Sequence, residues 1–139
     1  MEKIALSITA KAYGRRFSWK AEEAIASAFG TVPNSISNAS FATDSDIPSL
    51  SMSVKTARFT LANTLVGDTL AEKVADYFAR VHSTVWAYVD KQGTAYIMNA
   101  KEFETLLLTF GKVRTNSDKG LTVRVEHETK ALLQWLNEQ

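Results

Sequence analysis

The chain has 139 residues, of which 45% are hydrophobic and 22% charged, and its net charge is +1. These values predict a single domain over residues 1–139 and exclude a disordered chain. The chain has no cysteine, which excludes disulfide bonds, thiolate zinc sites and cysteine nucleophiles. No apolar run approaches the roughly 20 residues that cross a bilayer, and the N-terminus is too charged for a secretory signal. We therefore expect a cytoplasmic protein without membrane contact.

The first half of the chain is predicted to contain one helix, with a strand before it and a loop and two strands after it. The predicted order is strand, helix, loop and two strands, at about 3–10, 18–29, 31–46, 50–55 and 57–62. Ser18 fits the N-cap of the helix and Gly30 its end. Leu50, Met52 and Val54 alternate with polar residues, which predicts a strand with one apolar and one solvated face.

The second half of the chain alternates helices with strands. Asp68 fits the cap of a helix at about 69–82, and Asp90–Gly93 fits the turn of a hairpin. Asn99 and Gly111 bound a third helix, and the strand LTVRVEH precedes a short last helix. Because the strands come in twos and threes, the fold class is α/β with α+β character, a mixed β-sheet flanked by helices. The residues that we expect to be buried in the sheet are Leu50, Met52, Val54, Val85, Ala87 and Val89.

The segment DSDIPSLSMSVK, residues 44–55, carries the polar groups of most chemical interest. Asp44 and Asp46 precede the strand, and Ser53 and Lys55 share its polar face. One interpretation is an ordinary strand with a solvated face, on which a lysine contributes little to stability. The other is half of a metal-dependent phosphodiesterase site in which one carboxylate is missing.

This segment, placed after a helix with two glutamates, resembles the PD-(D/E)xK nuclease superfamily, which has a restriction-endonuclease-like core. The resemblance covers about residues 15–100. It implies Mg²⁺ or Mn²⁺ as cofactor, Asp46 or its rival Asp44 as metal ligand, and Lys55 as the lysine that orients water or stabilises charge. Ser53 takes the place of the second acid, a departure from the motif, since Mg²⁺ prefers carboxylates and water.

The helix of the family carries a glutamate, for which the chain offers Glu22 and Glu23. At about 100° per residue, Glu22 lies at the edge of the apolar stripe and Glu23 almost opposite it. A carboxylate that faces the sheet must come from that edge, so Glu22 is the better candidate for a metal ligand. Alternatively, both glutamates complement the helix dipole.

The resemblance implies a metal-dependent DNA endonuclease, or the nuclease subunit of a larger system. The stretches MSVKTARFTLAN and VWAYVDKQGTAYIMNAKEF also resemble small proteins of phages and mobile elements. Because one site cuts one strand, a homodimer or a partner subunit is expected. The Ser53 departure favours an alternative, a catalytically impaired scaffold that binds DNA or another protein.

Two groups of basic residues are candidates for phosphate contacts. The first contains Arg15, Arg16 and Lys20 beside Lys11, with Trp19 off the helix stripe, where it can stack on a base or a partner. The second contains Lys112, Arg114, Lys119 and Arg124. The alternative for either group is scattered, solvated charge.

Overall fold

The computed structural model describes residues 1–34, 45–61, 64–115, 120–126 and 128–139. Its strands are β1 (Glu2–Ala5), β2 (Met52–Thr56), β3 (Phe59–Thr60), β4 (Val85–Val89), β5 (Thr94–Asn99), β6 (Gly111–Thr115) and β7 (Leu121–Val125). Its α-helices are α1 (Ala10–Tyr13), α2 (Phe17–Ala28), α3 (Leu70–Arg80), α4 (Ala100–Phe110) and α5 (Lys130–Asn137). The expected mixed α/β class is confirmed. Within these ranges, no helix is both long and apolar enough to span a bilayer.

The first sheet has the strand order β1-β5-β4-β2, which leaves β2 at one edge. Strand β2 runs parallel to β4, whereas the other neighbours are antiparallel. The expected hairpin joins β4 and β5: the Asp90 carboxylate accepts hydrogen bonds from the N–H groups of Gln92 and Thr94. Gly93 has φ 90°, and a Cβ there would overlap the Ile8 carbonyl oxygen. Glycine is therefore required at the last turn position.

The second sheet is antiparallel, with the order β3-β7-β6. Strand β6 was not anticipated from the sequence. It begins at Gly111, directly where α4 ends, and its sequence GKVRT has a single large apolar residue. Such a segment has no alternating pattern to distinguish it from a loop.

Both faces of the first sheet are buried. On one face α2 packs through Phe17, Ala21 and Ile25 against a cluster that includes Met52, Val54, Ala87 and Val89. The opposite face carries Trp86, Tyr88, Tyr96 and Met98, which pack with residues of α3, α4, α5 and the second sheet. The expectation of a solvated face on β2 is therefore wrong, and Ser53 is only 4% exposed. Four of the six residues expected in the core are buried, whereas Leu50 and Val85 are partly buried.

The observed helix ends differ from some of the predicted caps and agree with others. Ser18 is not a cap, because α1 and a 3₁₀ turn lead directly into α2 at Phe17. The cap of α3 is Thr69 rather than Asp68, since the Thr69 side chain accepts from the Glu72 N–H. The capping box of α4 is confirmed, with Asn99 as N-cap. The two errors displace a boundary by one or two residues and leave the helices in place.

Candidate functional site

Asp46 is held at the open edge of β2 by a tight turn. Ile47 and Met52 form an antiparallel bridge, and a 3₁₀ turn over Pro48–Leu50 connects them, with Ser51 in the left-handed region at φ 51°. This turn brings the Asp46 carboxylate alongside the strand, where its Oδ2 accepts from the Val54 N–H at 2.7 Å. Because β2 is an edge strand, such an N–H has no neighbouring strand on that side. One oxygen of Asp46 is thus fixed by the backbone.

Glu22 reaches the same edge from α2. It follows Ala21, which is fully buried against the sheet, so its own side chain lies at the border of the packed face. Its carboxyl group is hydrogen-bonded to that of Asp46. Burial, followed by the charge of Asp46, raises the pKa of Glu22 to about 8. Glu22 therefore keeps its proton at neutral pH.

Glu22 is thus the glutamate that approaches Asp46, as the helical spacing predicted. Glu23 instead forms an ion pair with Lys20, with Nζ and Oε2 3.2 Å apart. If Glu22 and Glu23 only complemented the helix dipole, they would have equivalent surroundings. Their different partners do not fit that interpretation.

Lys55 completes a group of three ionisable side chains at the sheet edge. It pairs with Tyr88 in the register of β2 and β4, and its Nζ lies 6.0 Å from the centroid of the Phe59 ring. Burial lowers the pKa of Lys55, while the nearby charges of Asp46 and Glu22 oppose that change. Glu22, Asp46 and Lys55 form what we call the edge cluster. Lys55 is partly exposed, and its ammonium group interacts with the charges of two carboxyl groups, so it differs from an isolated lysine on a solvated strand face.

Ser53 belongs to a chain of buried hydroxyl groups rather than to the edge cluster. Its Oγ lies 2.6 Å from that of Ser83, which is in turn 2.8 Å from the Ser45 hydroxyl. The hydroxyl group of Tyr77, which accepts from the Trp86 Nε1–H at 2.9 Å, lies near Ser53. Burial raises the pKa of Tyr77 to about 12, so this hydroxyl stays protonated. Ser53, which stands where the nuclease motif has its second acid, is thus buried in the core.

The hydroxyl chain was not anticipated from the sequence. Ser83 follows α3 in the stretch RVHST, which is typical of a loop, and Tyr77 belongs to the apolar stripe of that helix. Ser83 also borders a surface cavity of about 450 Å³, so the chain extends from this cavity to Ser53 on β2. The charge of Asp46 acts on Tyr77, which places the hydroxyl chain next to the edge cluster.

The carboxyl groups of the edge cluster fit a divalent cation with a small number of protein ligands. Among the described residues, no group of three His, Cys, Asp or Glu side chains could hold a metal. Mg²⁺, however, is commonly held by one or two carboxylates, with water and substrate phosphate as the other ligands. Two carboxyl groups that touch require a proton or a cation between them, because like charges repel. Asp44, the rival to Asp46, lies outside the described residues.

The first basic group surrounds the start of α2. Arg15 and Arg16 are exposed on the 3₁₀ turn before the helix, and Trp19 is 49% exposed. The Lys20 Nζ lies 5.7 Å from the centroid of the Trp19 ring and 5.8 Å from that of Tyr13. The four predicted nucleic-acid-binding residues thus lie together, with Lys20 also engaged by an acid.

The second basic group is partly occupied by contacts within the second sheet. Arg114 Nε lies 2.7 Å from Glu126 Oε1, and Arg124 Nε donates to Thr60 Oγ1 at 3.0 Å. Lys119 lies outside the described residues. These contacts favour the alternative of ordinary surface charge for this group.

Comparison of the chain with protein-family models, with curated proteins and with solved structures finds no match. A functional assignment therefore depends on the geometry of the candidate site.

Proposed function

We propose that the chain is a metal-dependent DNA endonuclease, or the nuclease subunit of a phage or mobile-element system, with the edge cluster as its active site. The observation that carries this proposal is the approach of Glu22, from α2, to Asp46 and Lys55 at the edge of β2, where the Val54 N–H holds the Asp46 carboxylate. Burial at this edge raises the pKa of Glu22 and lowers that of Lys55. Catalytic sites are where burial and like charges displace pKa values in this way.

Each residue of the edge cluster has a distinct role in the proposed reaction. A bound Mg²⁺ or Mn²⁺ would polarise the phosphate and lower the pKa of an attacking water. Glu22 and Asp46 would hold that ion, and Asp46 is oriented for it by the Val54 N–H. Lys55 would donate hydrogen bonds to the phosphate oxygens as negative charge develops. Arg15 and Arg16 would guide the DNA backbone to this edge.

A nicking assay on supercoiled plasmid tests the proposal. Nicking should require Mg²⁺ or Mn²⁺ and should be abolished in Lys55→Met, which retains most of the side-chain volume and removes the ammonium group. Lys130→Met, at an exposed position of α5, is the matched control and should nick like the parent chain. Nicking that persists in Lys55→Met would assign the activity to another site or to a contaminant.

Cation binding can be measured independently of cleavage. Mn²⁺ should raise the melting temperature of the parent chain, because a ligand that binds the folded state stabilises it. The shift should be smaller in Asp46→Asn, which lacks one of the two carboxylates. An equal shift in parent chain and variant would exclude the edge cluster as the cation site.

Sedimentation at increasing protein concentration tests the homodimer that cutting of both strands would require.

A second function, a non-catalytic DNA-binding or protein-interaction scaffold, is favoured by the surroundings of Ser53. Its hydroxyl bonds to Ser83 within the core, and β2 supplies no second acid. A scaffold would bind DNA in the presence of Mg²⁺ or Mn²⁺ without nicking it. The plasmid assay therefore separates the two functions.

A further inference from the structure

The segment before and at the start of α2 concentrates positive charge. Residues 11–20, KAYGRRFSWK, contain four of the sixteen basic residues of the chain and none of its fifteen acidic ones. The chain as a whole carries a net charge of only +1. The basic character of this segment is therefore local, as expected for a surface that attracts a polyanion.

An aromatic side chain is exposed within this basic segment. Trp19 is 49% exposed, although burial of an indole is a large source of stability. Lys20 lies between the rings of Trp19 and Tyr13, so the lysine holds the two aromatic side chains on one surface. Trp19, Tyr13, Arg15 and Arg16 together form what we call the aromatic–basic platform.

The aromatic–basic platform is adjacent to the edge cluster along one helix. Trp19 precedes Glu22 by three residues, a rise of about 4.5 Å along the axis of α2. Residues three apart on a helix are neighbours on its surface. A nucleotide seated on Trp19 would therefore have its phosphate within about one nucleotide of the carboxyl groups.

We propose that the aromatic–basic platform binds single-stranded DNA, with an unpaired base stacked on Trp19 and the flanking phosphates on Arg15 and Arg16. In a duplex the faces of the bases are covered by neighbouring base pairs, whereas a single strand offers them to an aromatic ring. This inference rests on the proposed function for its choice of DNA. It narrows the substrate to single strands or to duplexes with unpaired segments.

Binding without catalysis tests this inference. A fluorescently labelled oligo(dT) and a duplex of equal length are titrated with the Lys55→Met variant in EDTA, so that no strand is cut. We expect tighter binding of the single strand. Trp19→Ala should weaken that binding about five- to 150-fold, the range of base–aromatic stacking. Phe29→Ala, at a 43% exposed position on the other end of α2, is the matched control and should bind like its parent.

Two further readouts identify stacking and phosphate contact separately. Binding should quench the fluorescence of the exposed Trp19, and Trp19→Phe should lose that quenching while it retains part of the affinity. Loss of both Arg15 and Arg16 should reduce the slope of log K against log salt by about 1.4, or roughly 0.7 for each phosphate contact. The double replacement of Lys101 and Lys130, which are exposed elsewhere, should leave the slope unchanged.

The outcomes separate this inference from the proposed nuclease function. Equal affinity of Trp19→Ala and its parent for oligo(dT), preference for the duplex, or tighter binding of an RNA oligonucleotide would overturn the inference. Plasmid nicking that depends on Lys55 would still support the nuclease in each case. Conversely, Trp19-dependent binding of oligo(dT) without any nicking supports the platform and contradicts the nuclease.

Discussion

Replacement of Glu22 by glutamine is expected to stabilise the folded chain by an amount that grows with pH. Glutamine resembles the protonated carboxyl group, which is the form that the fold favours. The pKa of Glu22 is about 8 in the folded chain, against 4.5 for an ordinary glutamate. Between these values the unfolded chain releases a proton that the folded chain keeps. The stability of the parent chain therefore falls as pH rises through this window.

The magnitude follows from the difference in pKa. Each pH unit within the window corresponds to about 1.4 kcal/mol of unfolding free energy. Glu22→Gln should match its parent near pH 4.5 and exceed it by at most about 3 kcal/mol at pH 7. Because the Glu22 side chain is partly exposed, solvent screening reduces this difference, and about 1–2 kcal/mol is expected there. The lowered pKa of Lys55 has the opposite effect below pH 10.5, where stability rises with pH because the unfolded chain binds the extra proton.

Urea denaturation of variant and parent at pH 5, 6, 7 and 8 measures this difference, because the titration of groups that do not interact with Glu22 cancels in the comparison. Glu23→Gln is the matched control: it removes a surface ion pair with Lys20 and should change stability by less than about 1 kcal/mol. A difference between Glu22→Gln and its parent that stays constant from pH 5 to pH 8 would refute the retention of a proton by Glu22. It would also remove the main physical support for the edge cluster as a cation site.

Three further substitutions test the architecture around the site, each by the unfolding free energy in urea. Ser53→Ala should cost about 1–3 kcal/mol, because Ser83 loses a buried hydrogen-bond partner; a neutral effect would contradict the hydroxyl chain. Lys73→Met should cost about 1–3 kcal/mol and speed hydrogen exchange at residues 64–67, since the buried ammonium donates to the carbonyl groups of Leu65 and Gly67; unchanged exchange there would rule out that anchor. Gly93→Ala should cost about 2 kcal/mol or more, from its positive φ and the overlap with the Ile8 carbonyl; full stability would mean that the backbone at Ile8, which follows β1, lies elsewhere.

Some features of the candidate site follow from the local sequence, whereas others depend on residues that are far apart in the chain. The choice of Glu22 over Glu23 could be made from helical spacing alone, because the buried stripe of α2 defines which side faces the sheet. The meeting of Asp46 with Lys55 depends on the strand order, which places β2 at an edge. The surroundings of Ser53 were not predictable, since Ser83 is thirty residues away in the chain and joins it only through the packing of α3 and β4.

The sequence by itself determined the order of helices α2 to α5 and of all strands except β6, together with the β4–β5 hairpin and the capping box of α4. Each of these has a local cause: an apolar period, a turn with Asp90 and Gly93, or a side chain that bonds to a backbone N–H three residues away. The tertiary structure alone decided that β2 is buried on both faces, because α2 and the α3 side of the core cover it from distant parts of the chain. A period of two shows which residues share a face, but the covering of that face depends on elements far away in sequence. The alternation in β2 suggested a solvated face. In the structure, Ser53 on that face belongs to a buried hydroxyl chain, and Lys55 lies near two carboxyl groups.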